Sequence, residues 1–353
     1  MPDVHGRPLH TRSLTIVLSR ESDGLWHARG DVVDLRKTGF VPMLADIQPA
    51  GVIHMMSIGL AFDIESLRIE SIDVDQPFVA IEPSERTGGE CCRDPAPRLL
   101  ALRGETLDSR FAKRLGTTFG GVLGCSHLLT LFQLMASTLP RAVEIEKARA
   151  SSEGTSHPIG FRFFRRSVFI DGHERDPASI DVGLQLSDTH TRPVPPDSGS
   201  TDRLALFHEV KALARIDRKR FRVEALRARE RRRDAGTLSK SEWISRDDRV
   251  SGLVDGPLIP GMAGRIFARL GGDADVAPLR DLLLQLAPGF IQISAALMDG
   301  FFEEKPSSES TSKSAEKPMV ASIGGNTNSC YMWREDGPAT RASGIRTPSP
   351  SSD

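Results

Sequence analysis

The sequence predicts an α+β protein built as two tandem units, each an antiparallel sheet covered on one face by helices. Three observations carry that expectation. Short runs rich in alternating apolar and polar residues fill Arg12 to Phe78 and return from Phe163 to Ala228. Helical periodicity follows each of these segments. The two strand-rich stretches also share a register: His54, Asp63 and Glu70, set among apolar neighbours, recur as His208, Asp217 and Glu224, each 154 residues further on.

In the first unit, strands are expected at Leu14–Leu18, Trp26–Leu35, Ile53–Phe62 and Leu67–Val74, separated by turn residues such as Ser22-Asp23-Gly24. A meander is the simplest way to join them. Helices are expected at Ala96–Leu102, Leu107–Leu115 and Leu128–Ala148, the last apolar on more than one face. The second unit repeats the plan, with strands at Phe163–Ile170, Ile180–Leu186, His208–Ile216 and Arg220–Ala228 and a closing helix at Leu279–Met298. The predicted boundaries are a flexible start at 1–11, a first repeat at 12–150, a polar linker at 151–160, a second repeat at 161–302 and a tail at 303–353. Pro, Ser, Lys and Glu dominate the tail and its apolar residues follow no period, so it is read as disordered and removable without loss of folding. The apolar helix faces of the two units need a neighbour, which makes the chain an intramolecular pseudo-dimer.

Composition excludes more than it assigns. Of 353 residues 39% are hydrophobic and 26% charged, with a formal net charge of −1, an ordinary globular balance that names no partner. The first residues have no basic segment before an apolar one, and the longest apolar stretch, Leu128 to Leu139, is too short to span a bilayer. A cytoplasmic protein without a membrane span is therefore expected, with its four cysteines kept as thiols. Arg215 to Arg233 holds ten Lys or Arg. Phe221 is its only aromatic, and Phe221 and Val223 alternate with Arg220 and Arg222, the pattern of a half-buried strand and not of a nucleic-acid surface.

Chemistry concentrates in one place. Gly124-Cys125-Ser126-His127-Leu128 enters the long helix, and its counterpart in the second unit, at Val276 and Pro278, has lost both the thiol and the imidazole. With Ser126 as N-cap, Cys125 sits just outside the first turn, where unpaired amides and the helix dipole lower a thiol's pKa. His54, whose counterpart His208 survives, and one thiol of Cys91-Cys92, preferably Cys92, complete a candidate set. Two Cys and two His suit tetrahedral zinc, though the spacing matches no standard finger. Each has a plainer reading: Cys125 as a packing residue, His127 as a cap, His54 as a cross-sheet hydrogen-bonding group and Cys91-Cys92 as loop residues. The single tyrosine, Tyr331, lies in the tail with Cys330 and Trp333, a short docking motif or, on the plainer reading, a stretch without a role.

The Ile53-His54-Met55 stretch, the Leu67-Arg68-Ile69 strand, Cys92 followed by Ala96-Pro97 and Leu102-Arg103-Gly104, Phe111, and Gly124-Cys125-Ser126-His127-Leu128 together resemble a bacterial family, domain of unknown function 2889, over roughly residues 12 to 145. That family usually shows Thr where Ser126 stands. The resemblance implies that His54, Cys92, Cys125 and His127 form one recurring set, and it supplies no activity. The expectation is thus a metal site, zinc or iron, held by His54, Cys92, Cys125 and His127. The rivals are a metal-free enzyme with Cys125 as nucleophile and His127 or His54 as base, and a non-enzymatic binding module. The partner, a small molecule or a protein, is left open.

Overall fold

The computed structural model describes residues 4–44, 46–155, 158–298 and 327–342. Nine strands form one antiparallel sheet: β1 (Arg7–Arg20), β2 (Trp26–Met43), β3 (Asp46–Phe62), β4 (Ile69–Phe78), β5 (Arg162–Glu174), β6 (Ser179–Thr191), β7 (Leu204–Asp217), β8 (Arg222–Arg233) and β9 (Ile244–Ser245). Their order is β4-β3-β2-β1-β5-β6-β7-β8-β9. The two expected sheets are therefore one, because β1 pairs with β5 from Arg7↔Glu174 to Ser19↔Arg162 and joins two four-strand meanders through their first strands.

Alternation in the sequence becomes alternation in burial. Along β1 the even-numbered His10 to Leu18 are buried and the odd-numbered Thr11 to Val17 are half-buried. The buried apolar residues of β1–β8, most of them even-numbered, share one core cluster with residues of α1 (Phe111–Phe119), α2 (Ser126–Glu153), α4 (Met262–Leu270), α5 (Ala277–Leu283) and α6 (Leu286–Ala295). A short α3 (Asp247–Val250) lies between β9 and α4.

Where the helices differ from expectation, proline or a backbone contact is responsible. Ala96–Leu102 is a 3-10 helix, with Pro95 and Pro97 withholding two amide donors at its start. Leu107 is not helical because its amide is bound to the Leu67 carbonyl at 3.0 Å, so α1 begins at Phe111. The closing helix divides into α5 and α6 just before Pro288, whose ring excludes the helical hydrogen bond to Leu284. The linker is shorter than expected: α2 runs to Glu153, and Gly154 ends it in the left-handed region at φ 62°.

The register shared by the two halves extends to the backbone. Leu67 and Phe221, 154 residues apart, both have positive φ (56° and 50°), and their amides donate to the carbonyls of Asp63 and Asp217 at 2.8 and 2.9 Å. Ile69 and Val223 likewise donate to Glu105 and Gly256 at 2.9 and 3.1 Å. Among the described residues no helix is long and apolar enough to cross a membrane.

The expectation of a disordered tail is corrected for residues 327–342; its remainder, 303–326 and 343–353, lies outside the described residues. A 3-10 turn, Tyr331–Trp333, and α7 (Pro338–Ala342) dock on the first unit. The Tyr331 amide donates to the Gly124 carbonyl at 2.8 Å, its hydroxyl donates to Glu90 at 3.0 Å, and Arg334 pairs with the same carboxylate. Met332, Trp333 and Ala339 form a small buried cluster with Ile81. One turn with two adjacent apolar side chains is too short to show a period. Trp333→Ala should lower the unfolding free energy by about 3 kcal/mol, the usual cost of emptying an aromatic site. Denaturant melts that shift by less than about 0.5 kcal/mol would show that the turn only rests on the surface.

Candidate metal centre

Strand register builds the site. Arg12 lies opposite Asp34 in the β1–β2 pair, and Asp34 lies opposite His54 in the β2–β3 pair. All three are even-numbered residues on the buried side of the alternation, so a charged row crosses three strands inside the core. Arg12 grips Asp34 with both ends of its guanidinium, Nε to Oδ1 at 2.8 Å and Nη2 to Oδ2 at 2.9 Å. His10 lies alongside, its Nε2 3.5 Å from Oδ1.

Two further imidazoles converge on the other oxygen. His54 Nδ1 is 3.2 Å and His127 Nε2 is 3.4 Å from Asp34 Oδ2. His127 arrives from above as the second residue of α2, and its ring lies 3.8 Å from that of His54, tilted by 35°. Neither nitrogen is aligned for a hydrogen bond, and both are buried without a hydrogen-bond partner among the described residues. Asp34, His54 and His127 bring one donor atom each within 4.8 Å of one another.

The charge states suit a cation. Burial alone would raise the Asp34 carboxyl, but the Arg12 guanidinium beside it holds it well below the usual carboxylate range. Burial, then His54 and Arg12, hold His127 well below the usual imidazole value. At neutral pH the cluster therefore offers a carboxylate and a neutral His127 imidazole, the forms that bind metal.

The cysteines occupy a different place. Cys125 is itself the N-cap of α2, and Ser126 is the first helical residue. Its Sγ lies 3.9 Å from His127 Nδ1, the nitrogen turned away from Asp34, and 4.0 Å from Met56 Sδ. The expected lowering of its pKa is reversed: burial pushes the thiol up to about 12 against the opposing amides of Leu128 and His127. Cys92 packs beneath the Tyr331 turn, and burial followed by the neighbouring Cys125 and Cys330 raises it well above the usual range. Cys91 turns to Asp94, its thiol donating at 3.2 Å. Asp34 thus joins the two histidines where the sequence suggested thiols.

A cavity of about 860 Å³ opens beside the cluster. Arg12, His54, Cys125 and His127 form part of its wall, α4 and α6 contribute Ile266 and Ile291, and the Tyr331 turn closes another side.

Every residue of the cluster lies between His10 and His127. Residues 10–140 match the family model described as "Protein of unknown function (DUF2889)". That stretch contains the whole site and ends within α2, before the second half of the sheet. No curated protein and no solved structure matches the chain.

Outside the stretch matched to this family, the row returns in altered form. Arg166 holds Asp188 through Nε at 2.7 Å and Nη2 at 2.8 Å, and spends Nη1 on Asp281 and Thr138, each at 2.7 Å. Arg12, Asp34, His54 and Gln76 correspond at a constant 154 residues to Arg166, Asp188, His208 and Glu230. His208 turns to Glu230, 3.4 Å away, and Asp281, 154 residues after His127, bonds to Arg166. Sequence reasoning missed Arg12 and Asp34, although their recurrence as Arg166 and Asp188 was there to be found.

The second row predicts a pH dependence. His190 is held down to about 4, burial being the largest cause and Arg166 and Arg141 acting in the same direction against Asp188. The unfolded chain, with a histidine near 6.5, takes up the proton first. Stability is therefore complete above about pH 6.5 and falls as pH drops towards 4, by about 3 kcal/mol for this group. His190→Gln should make the fall in Tm across that window shallower than in the parent, and an unchanged slope would count against the assignment.

Proposed function

We propose that the protein binds a divalent transition-metal ion, zinc or iron, through Asp34 Oδ2, His54 Nδ1 and His127 Nε2, with its remaining coordination positions facing the cavity. The observation that carries this is the spacing of the donors. Metal–ligand bonds of 2.0 to 2.1 Å in tetrahedral geometry put neighbouring donor atoms about 3.3 Å apart; the two separations from Asp34 Oδ2 are 3.2 and 3.4 Å. Misaligned hydrogen bonds at those distances are what atoms aimed at a common centre would show. Two histidines and one carboxylate with open positions are the donor set of non-haem iron and of some catalytic zinc sites, where the ion acts as a Lewis acid or activates a bound ligand. Arg12 would fix the carboxylate, leaving one lone pair of Oδ2 for the ion, and Cys125 would steady His127 through Nδ1.

The second half supports the reading as an internal control. We infer that it is a degenerate copy, kept because its Arg166–Asp188 row and its strands complete the sheet. It lacks an imidazole to match His127, so the row itself is structural and the third donor makes the site. The thiol-enzyme alternative is less well supported, because a nucleophile needs the thiolate that burial of Cys125 disfavours. Free cysteines at 91, 92, 125 and 330 suit a reducing cytoplasm. The cavity suits a small molecule as partner.

Elemental analysis of protein purified without chelators should find about one equivalent of a transition metal. His127→Ala should lose it and stay folded, whereas His208→Ala should keep it. Cys125→Ser and Cys92→Ser should also keep it, and release from either would bring sulfur into the ligand set. Less than about a tenth of an equivalent in the parent removes the metal reading.

A further inference from the structure

The cavity has more character than a bare opening beside an ion. Away from the cluster its wall is mainly apolar, with Val41, Ile53, Leu134, Met262, Ile266 and Ile291 drawn from both halves of the chain. Its volume, about 860 Å³, lies within the range of small-molecule sites, not of gaps left by packing.

Polar side chains such as Gln133, Arg280, Asp281 and Gln292 interrupt that wall, and two places bear on what a ligand must carry. At the cluster, Arg12 and Arg36 both line the cavity, and Arg36 is two residues from Asp34 on the same side of β2. A bound divalent ion beside the Arg12 guanidinium would outweigh the single carboxylate of Asp34 and leave this end with an excess of positive charge. Such an excess inside a largely apolar enclosure favours an anionic group. The second place is the break between α5 and α6. Gln285 lines the cavity there, is 3% exposed, and its Oε1 is buried with no hydrogen-bond partner among the described residues. An orphaned acceptor of this kind is costly unless a ligand supplies the donor.

We propose that the cavity binds an elongated, largely apolar monocarboxylate whose head group takes the open coordination position beside Arg36, whose body lies along the α4 and α6 side chains, and whose hydroxyl or amide donates to Gln285. This rests on the metal reading, which supplies the anchor for the head group. No bond is made or broken in the proposal; it assigns a ligand class to the site.

The test uses the full chain. Its metal content is first fixed by elemental analysis, so that failure of the metal reading is seen separately. The zinc-loaded protein is then titrated calorimetrically with hexanoate, octanoate and decanoate, with 1-octanol as the control lacking the charge. Affinity should rise about fourfold per added methylene until the cavity is full, and the alcohol should bind at least tenfold more weakly than octanoate. Ala136→Phe and Ala287→Phe, two half-buried positions on the cavity wall, should each abolish the chain-length dependence while keeping the metal. Against ω-hydroxydecanoate, Gln285→Leu should lose the preference that the parent shows over decanoate. Metal bound at one equivalent with carboxylate binding absent, or independent of chain length, overturns this inference and leaves the metal site standing. Absence of metal overturns both. Chain-length dependence unchanged in both phenylalanine variants places the binding elsewhere and overturns it as well.

Discussion

Asp34 has no exposed surface, and a carboxylate in that position is untenable unless its charge is met from within the protein. Arg12 meets it with two parallel hydrogen bonds across one pair of strands. That grip fixes the carboxylate in one plane and commits Oδ1 chiefly to the guanidinium, so Oδ2 is presented to β3 and to the start of α2. His54 and His127 converge there because β3 pairs with β2 at Asp34 and because α2 begins directly above. Removing the guanidinium would leave a buried charge without its counter-ion, and the arrangement of both histidines would go with it.

The same interaction serves different ends in the two halves. Around Asp34 the third element to arrive is an imidazole; around Asp188 the arginine's remaining nitrogen bonds to Asp281 and Thr138, tying α5 and α2 to the sheet. In the second setting every strong partner is a neighbour in the fold, so the charge is used up in holding helices to strands. In the first, His54 Nδ1 and His127 Nε2 are left without a hydrogen-bond partner among the described residues. A fold can hold both because the helix-to-sheet contact tolerates either outcome, provided that the buried carboxylate is paired.

Much of this was legible in the sequence. Strand alternation located eight strands, and the absence of Cys and His from the stretch aligned with it around Val276 and Pro278 pointed to the start of α2, where His127 does sit in the cluster. Arg12 and Asp34 were passed over because a charged residue in an alternating strand reads as outward-facing, although a turn centred on Asp23 places them opposite each other. The cysteines were weighted too heavily for the converse reason: chemical reactivity is a property of the side chain, whereas the direction in which Cys125 points is set by its place at the helix cap. The Tyr331 stretch was noticed and set aside, because anchoring by a single 3-10 turn leaves no periodic trace.

The seam between β1 and β5 bears on how far this site can travel. The stretch matched to the family ends at residue 140, but α2 continues to Glu153 and β1 finds its second neighbour only at Arg162–Glu174. A boundary of kinship is here not a boundary of self-sufficiency. Transplanted alone, residues 10–140 would carry all the donor atoms and yet leave β1 as a bare, adhesive sheet edge. Chains that bear only the first meander would therefore have to find a β5 elsewhere, from another copy or another protein, before the centre could be held as it is here.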